Sequence, residues 1–312
     1  VLLEELTAGM RERGVGPAAQ RKALVVLSAV TAAVQWKKIP TNPVWRMPKP
    51  PGTPQRVARP FPPLIVERIR LRMSRRKTRQ VDDMRPFGDA CLVSLMSYAG
   101  LRPGEALALR WGDVGKHSIA VDKALADGQI GTTKTGVART VPIALSLYSD
   151  LGGWHTVSGG ASDDKLVFPG RDEEPWSRTE ANNWRARVWR PVLESLAAEK
   201  RLEHLAAAVP YDCRGSFVSL HLRAGASPLE VAAWAGHSPQ VMFSHYAGVI
   251  EELVGEPRIP VEEQIARARD IVEDTPSEEL DNLAAELFVR PTVGSAGKSG
   301  AAKLLYEPGR KR

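Results

Sequence analysis

Cysteine is almost absent: two thiols, Cys91 and Cys213, occur in 312 residues. That excludes a disulfide-stapled scaffold, and neither thiol has the Cys/His spacing of a zinc site. The expectation is a reduced, cytoplasmic setting. No apolar run approaches the roughly 20 residues of a membrane-spanning helix, so no membrane role is expected. No signal-peptide pattern opens the chain, and internal repeats are missing. Acid is the minority charge: 36 Asp and Glu against 43 Lys and Arg leave +7, which points to an anionic partner, nucleic acid first. What remains, 43% apolar and 25% charged, is ordinary globular composition, long enough for one substantial core and an accessory unit. The first residue is Val1 rather than Met, and a truncated start is expected from it.

Residues 1–47 pattern as helices, one over 2–13 and a longer one over about 18–36, with Leu24, Leu27, Val30 and Val34 on one face. Residues 48–63 carry seven prolines, the composition of an extended spacer and a domain boundary. The main unit is expected over 64–250. It opens on a helix dense in Arg68, Arg70, Arg72, Arg75, Arg76, Lys77 and Arg79, which reads equally as a solvated face and as a phosphate-tracking one. A buried helix follows, with Phe87, Cys91 and Leu95 at four-residue spacing. Alternation predicts three short strands, at 118–121, about 130–133 and 139–143. Residues 152–174 read as a loop with a solvated His155, and about 179–196 as a helix. A helical, acid-rich extension over 251–290 and a disordered basic tail over 291–312 complete the chain.

The stretch 210–250 predicts three short helices in a row. Ser227-Pro228-Leu229-Glu230 is a capping box, Gly236 stops the second helix and Ser238-Pro239 starts the third. Arg214, His237 and Tyr246 fall at the seams, where side chains and free amides can converge on one ligand. Tyr246 follows His237 by nine residues. Upstream, residues 98–114 read YAGLRPGEALALRWGDV, with Arg102 followed three residues on by Glu105, which is given a supporting role.

Together these motifs resemble the two arginine boxes, the Gly-His pair and the tyrosine of the tyrosine recombinase (phage integrase) family. Two positions depart from the second box: Tyr211 stands where a first histidine is usual, and Gly215 where a second is. The segment 133–143, TKTGVARTVPI, matches the family's lysine-bearing hairpin, so the resemblance promotes Lys134 over Lys123. It implies an α+β, mainly α-helical catalytic domain with a small three-stranded antiparallel sheet, preceded by a truncated core-binding domain that clamps DNA. It also implies cleavage and rejoining of double-stranded DNA through a 3′-phosphotyrosine by a homotetramer on two duplexes. No cofactor, metal, ATP or small-molecule substrate is implied. By the same resemblance Tyr246 is the nucleophile, Arg102 and Arg214 clamp the phosphate, Lys134 is the general acid, and His237 and Tyr211 donate hydrogen bonds. A helix at about 262–272 packs either on a neighbouring protomer or on its own domain. The alternatives are a degenerate integrase that binds without efficient catalysis, a type IB topoisomerase-like enzyme, and a helix–turn–helix regulator. The last is disfavoured because its second helix, after the Ala-Gly-His-Ser turn, lacks Arg and Lys.

Overall fold

The computed structural model describes residues 2–30, 41–48, 50, 60–78, 83–133, 136–199 and 202–275. The chain divides into two units, Val1–Val57 and Ala58–Arg312. In the first, α1 (Leu2–Glu12) and α2 (Pro17–Val30) are followed by a 3-10 turn, Pro43–Arg46. Asn42 caps that turn by accepting from the Val44 amide at 2.9 Å, and its own amide donates to Ser28 Oγ at 3.1 Å. Of the predicted apolar face, Leu24 is buried and Leu27 half-buried, and Val34 lies outside the described residues.

The second unit is built around α4 (Arg85–Tyr98), which is buried along nearly its whole length. Before it comes α3 (Pro63–Ser74), started by Pro62-Pro63, where a missing amide hydrogen does no harm. After it come α5 (Pro103–Ala108) and four strands: β1 (Ser118–Val121), β2 (Lys123–Ala126), β3 (Gln129–Thr132) and β4 (Arg139–Pro142). The expected three-stranded sheet is instead two antiparallel pairs. β1 pairs with β4 in the register Val121↔Arg139, and β2 pairs with β3 across an Asp127-Gly128 turn. Both turn residues have positive φ, 50° and 84°, the geometry that twists a two-residue hairpin correctly. β2 comes close to α5: a Cβ on Gly104 would lie 2.6 Å from the Leu125 carbonyl oxygen.

Helix α6 (Leu145–Val157) occupies the start of the predicted loop, and His155 is half-buried rather than freely solvated. Its ring meets Trp111 edge-on at 4.6 Å, and its Nε2 lies 2.8 Å from the Ala161 carbonyl. The predicted helix near 179–196 is α7 (Arg178–Trp184) and α8 (Arg190–Ala197), joined by a π-turn over Arg185–Trp189. Pro191 has no amide hydrogen for the Arg187 carbonyl, which is a physical reason for the wider turn there. Then follow α9 (Cys213–Arg223), α10 (Pro228–Ala235), α11 (Pro239–Glu252) and α12 (Val261–Asp274).

The arginines of α3 and of the turn after it are mostly internal ties rather than a phosphate track, and Arg79 of the expected basic face lies outside the described residues. Arg70 pairs with Glu67 and with Asp150 at 2.7 Å, Arg72 with Glu199 at 2.7 Å, and Arg76 with Asp89 at 2.6 Å. Arg68 also meets Glu199. Helix α12 takes the second of its two expected places, on its own domain, against α3, α6 and α9. Gln264 donates to the carbonyls of Leu220 (3.1 Å) and Ile259 (2.7 Å), and Arg269 reaches Asp150 at 2.7 Å. Residues 276–312, which include the rest of the expected extension and the tail, lie outside the described residues. Among the described residues, no helix is long and apolar enough to cross a membrane.

Candidate active site

Arg102 occupies the N-cap position of α5, with extended backbone (φ −65°, ψ 150°) and Pro103 beginning the helix. Glu105 turns back and accepts from the Arg102 amide at 2.8 Å and from its Nη1 at 2.7 Å. Arg102 Nη2 donates to the Gly236 carbonyl at 2.8 Å, which ties α5 to the end of α10. The Glu105 carboxylate is a hub. Arg139 at the start of β4 donates to both its oxygens, at 3.0 and 2.7 Å, and Arg214 Nη1 lies 3.9 Å away. Burial alone would raise this carboxyl, but the hydrogen bonds from Arg139 and Arg102 prevail and hold it down at about 2.

Arg214 stands in the first turn of α9 and is 1% exposed. Its Nη1 donates to the Gly100 carbonyl at 2.7 Å and its Nε to His237 Nε2 at 3.0 Å, while Nη2 is buried without a partner. Burial and the nearby Arg102 charge push its pKa down to about 10, still cationic at neutral pH. Gly236 closes α10 in the left-handed conformation (φ 60°, ψ 42°), so the chain reverses and the His237 amide bonds back to Ala232 O at 2.8 Å. Because His237 Nε2 accepts from Arg214, the ring hydrogen belongs on Nδ1, which is buried and unpartnered. Burial first, then Arg214 and Arg102, push this histidine down to about 3, so the ring is neutral.

Ser238 caps α11, accepting from the Val241 amide at 3.3 Å, and the helix carries Tyr246 two turns on. Tyr246 is 5% exposed, and its ring stacks on His237 at a centroid distance of 6.1 Å and 25° between planes. Burial raises the phenol to about 12, against the pull of the Arg214 charge. Tyr211 lies on the turn Pro210–Asp212 just before α9 and is 48% exposed, at the rim.

Arg102, Arg214, His237 and Tyr246 therefore come together, with Tyr211 a few residues upstream of Arg214. Lys134 lies outside the described residues, between Thr133 and Gly136, which bond to each other across the turn at 2.8 Å. Gly215 has a packing reason: a Cβ there would sit 3.1 Å from Pro60 Cα, leaving no room for a histidine without moving that backbone. Arg139 lies inside the matched segment TKTGVARTVPI but is given no role by it, because its partners, Glu105 and the Trp234 carbonyl, are 34 and 95 residues away.

A family model, the phage integrase family, matches residues 73–252, more than half of the chain. Among solved structures, the Tn1549 transposon integrase in complex with transposon right-end DNA is 16% identical, with a TM-score of 0.62 over 81% of this chain and 84% of that one. A lambda integrase dimer bound to a COC′ core site is 17% identical, with a TM-score of 0.52 over 78% and 77%. At these identities the likeness is one of fold. A comparison with curated proteins gives no match. The matched stretch runs from the end of α3 to the end of α11 and takes in both arginine boxes and the tyrosine, and so the chain belongs to the phage integrase family, the tyrosine recombinases, site-specific enzymes that cut and rejoin DNA.

Proposed function

We propose that the chain recombines two DNA duplexes as a homotetramer in the cytoplasm, through a 3′-phosphotyrosine on Tyr246 and with neither metal nor ATP. The observation that carries this reading is the pair of buried donors without partners, Arg214 Nη2 and His237 Nδ1, beside the Tyr246 ring. A buried donor left unpaired is costly, and a non-bridging phosphate oxygen would complete both. Residues 1–47 would clamp the duplex from its other side, with 48–63 as the spacer.

With the phenol near 12, a free phenolate at pH 7 would take about 7 kcal/mol to form. Proton loss to water and attack on phosphorus therefore run together. The phenolic oxygen bonds to phosphorus, the bond to the 5′-oxygen breaks, and Lys134 returns a proton to that oxygen. Arg102 and Arg214 hold the crowded phosphorane, and neutral His237 donates through Nδ1. Tyr211 donates from the rim. The free 5′-hydroxyl, or its counterpart on the second duplex, then attacks the phosphotyrosine and the same steps run backwards.

The test uses nicked duplexes with a randomised core, so the target sequence need not be known. Wild-type protein should leave a covalent band on a denaturing gel, and peptide mapping should find the nucleotide on Tyr246. Tyr246→Phe removes one oxygen and should abolish the band while DNA binding persists. No band from the wild-type chain would instead favour a DNA binder that no longer cuts.

A further inference from the structure

Arg139 has no part in the chemistry above, yet it is firmly engaged at the site. Its side chain is 9% exposed, and both ends of its fork lie on Glu105, at 3.0 and 2.7 Å. Its Nε donates to the Trp234 carbonyl at 2.7 Å, in the last turn of α10, where a cation meets the negative end of the helix. Its Cδ, Nε and Cζ would be 3.3–3.4 Å from a Cβ on Gly236, so the guanidinium packs directly on the turn that presents His237. One side chain thus braces both the carboxylate that orients Arg102 and the turn that carries the histidine.

Charge makes a second argument. Among the described residues, the guanidiniums of Arg102, Arg139 and Arg214 outnumber the nearby carboxylates of Glu105 and Asp212. A phosphodiester carries one negative charge and gains a second as the phenolate oxygen adds. Positive charge held at the site interacts more strongly with the doubly charged phosphorane than with the bound substrate, which is the condition for speeding the step, and Arg139 supplies part of it.

We infer that Arg139 is a positioning residue for the cleavage step, fixing Glu105 and through it Arg102, bracing the Gly236-His237 turn, and supplying the positive charge that matches the phosphorane. This rests on the reading of Tyr246 as the nucleophile. The experiment is single-turnover cleavage of nicked DNA at a series of DNA and salt concentrations, with thermal unfolding followed in parallel. Arg139→Gln should slow cleavage about 10²-fold, the scale of one lost electrostatic contact in a reacting site. The half-saturating DNA concentration and the salt slope should stay at wild-type values, because the Arg139 guanidinium is already taken up by Glu105 and the Trp234 carbonyl. Arg139→Lys keeps the charge and loses the fork, and should recover about tenfold of that loss. If the glutamine variant fails to fold, the lysine variant is read alone and must cleave about tenfold slower than wild type. A folded variant that cleaves at the wild-type rate overturns the inference. So does a loss that appears in affinity or salt slope, which would make Arg139 a phosphate contact. A wild-type protein with no adduct on Tyr246 overturns the nucleophile assignment, and this inference with it.

Discussion

Two buried tyrosines of the second unit differ in the sign of the charge around them. Tyr98, at the end of α4, is wholly buried and donates its hydroxyl to Glu67. Glu67 and Asp150 meet Arg70 and Arg269, and Ser94 adds a hydrogen bond to Asp150 at 3.0 Å. Two carboxylates face two guanidiniums, so this cluster is neutral. Burial and the adjacent Glu67 charge push the Tyr98 phenol well above its ordinary value. The strongest charge acting on Tyr246 is the Arg214 guanidinium, ahead of the Asp212 carboxylate, and that cluster carries an excess of positive charge. Burial raises both phenols, but a carboxylate locks one as a donor while an arginine favours the anion of the other. On the proposed reading, a buried tyrosine would become a nucleophile through its neighbour's sign, not through its burial.

The largest expected effect sets these two side by side. Tyr246→Phe should remove all covalent adduct, whereas Tyr98→Phe should leave it and lower stability by about 1–3 kcal/mol, as a buried acceptor loses its donor. Denaturant midpoints and the trapping gel check the pair, and an adduct lost on Tyr98→Phe in folded protein would erase the distinction. Next, Glu67→Gln breaks the neutrality of the first cluster and should destabilise the chain by about 3–5 kcal/mol, the range for stranding a buried ion. A smaller loss on urea unfolding would mean that water relieves Arg70 and Arg269. Tyr211→Phe sharpens the second cluster: one rim donor is removed, so cleavage should fall about 10²-fold or less. A complete loss would make that phenol essential rather than supporting.

The smallest effect concerns packing without charge. His221 lies between Phe217 and Trp234, with centroids 4.4 and 5.2 Å away, and burial lowers it to about 4. As pH falls from the ordinary histidine value of about 6.5 towards 4, the unfolded chain takes up a proton that the folded chain refuses, so stability is lost with acid. His237, lowered to about 3, acts with the same sign. His221→Phe should therefore narrow the drop in melting temperature between pH 7 and pH 4.5, by the equivalent of about 2 kcal/mol or less, given its part-exposed ring. An unchanged drop would assign the acid limb elsewhere.

Local signals were legible in the sequence, and distant pairings were not. The Ser227/Glu230 capping box, the Gly236 stop and the Ser238 start stand where the sequence puts them, because each is decided within four or five residues. Strand β2, Lys123–Ala126, was overlooked because Lys-Ala-Leu-Ala has no β-branched residue, although the Asp127-Gly128 turn beside it is a strong hairpin signal. The α3 arginines read as a basic face because Asp89, Asp150 and Glu199, which pair with Arg76, Arg70 and Arg72, lie 13, 80 and 127 residues away. At the site, motif spacing led to Arg102, Arg214, His237 and Tyr246. It did not reveal that Arg214 fixes the His237 tautomer, since that rests on one side-chain contact between helices.

Helix α11 buries only Met242, Tyr246 and Val249, a single line of contacts four and three residues apart. Helix α9, by contrast, buries eight of its eleven residues. In hydrogen-exchange terms the two should belong to different opening units: amides of α11 are expected to exchange through local detachment, and those of α9 only when the domain as a whole gives way. The proposed nucleophile, Tyr246, thus sits on a helix held along one seam, while Arg214 stands in the deeply buried one.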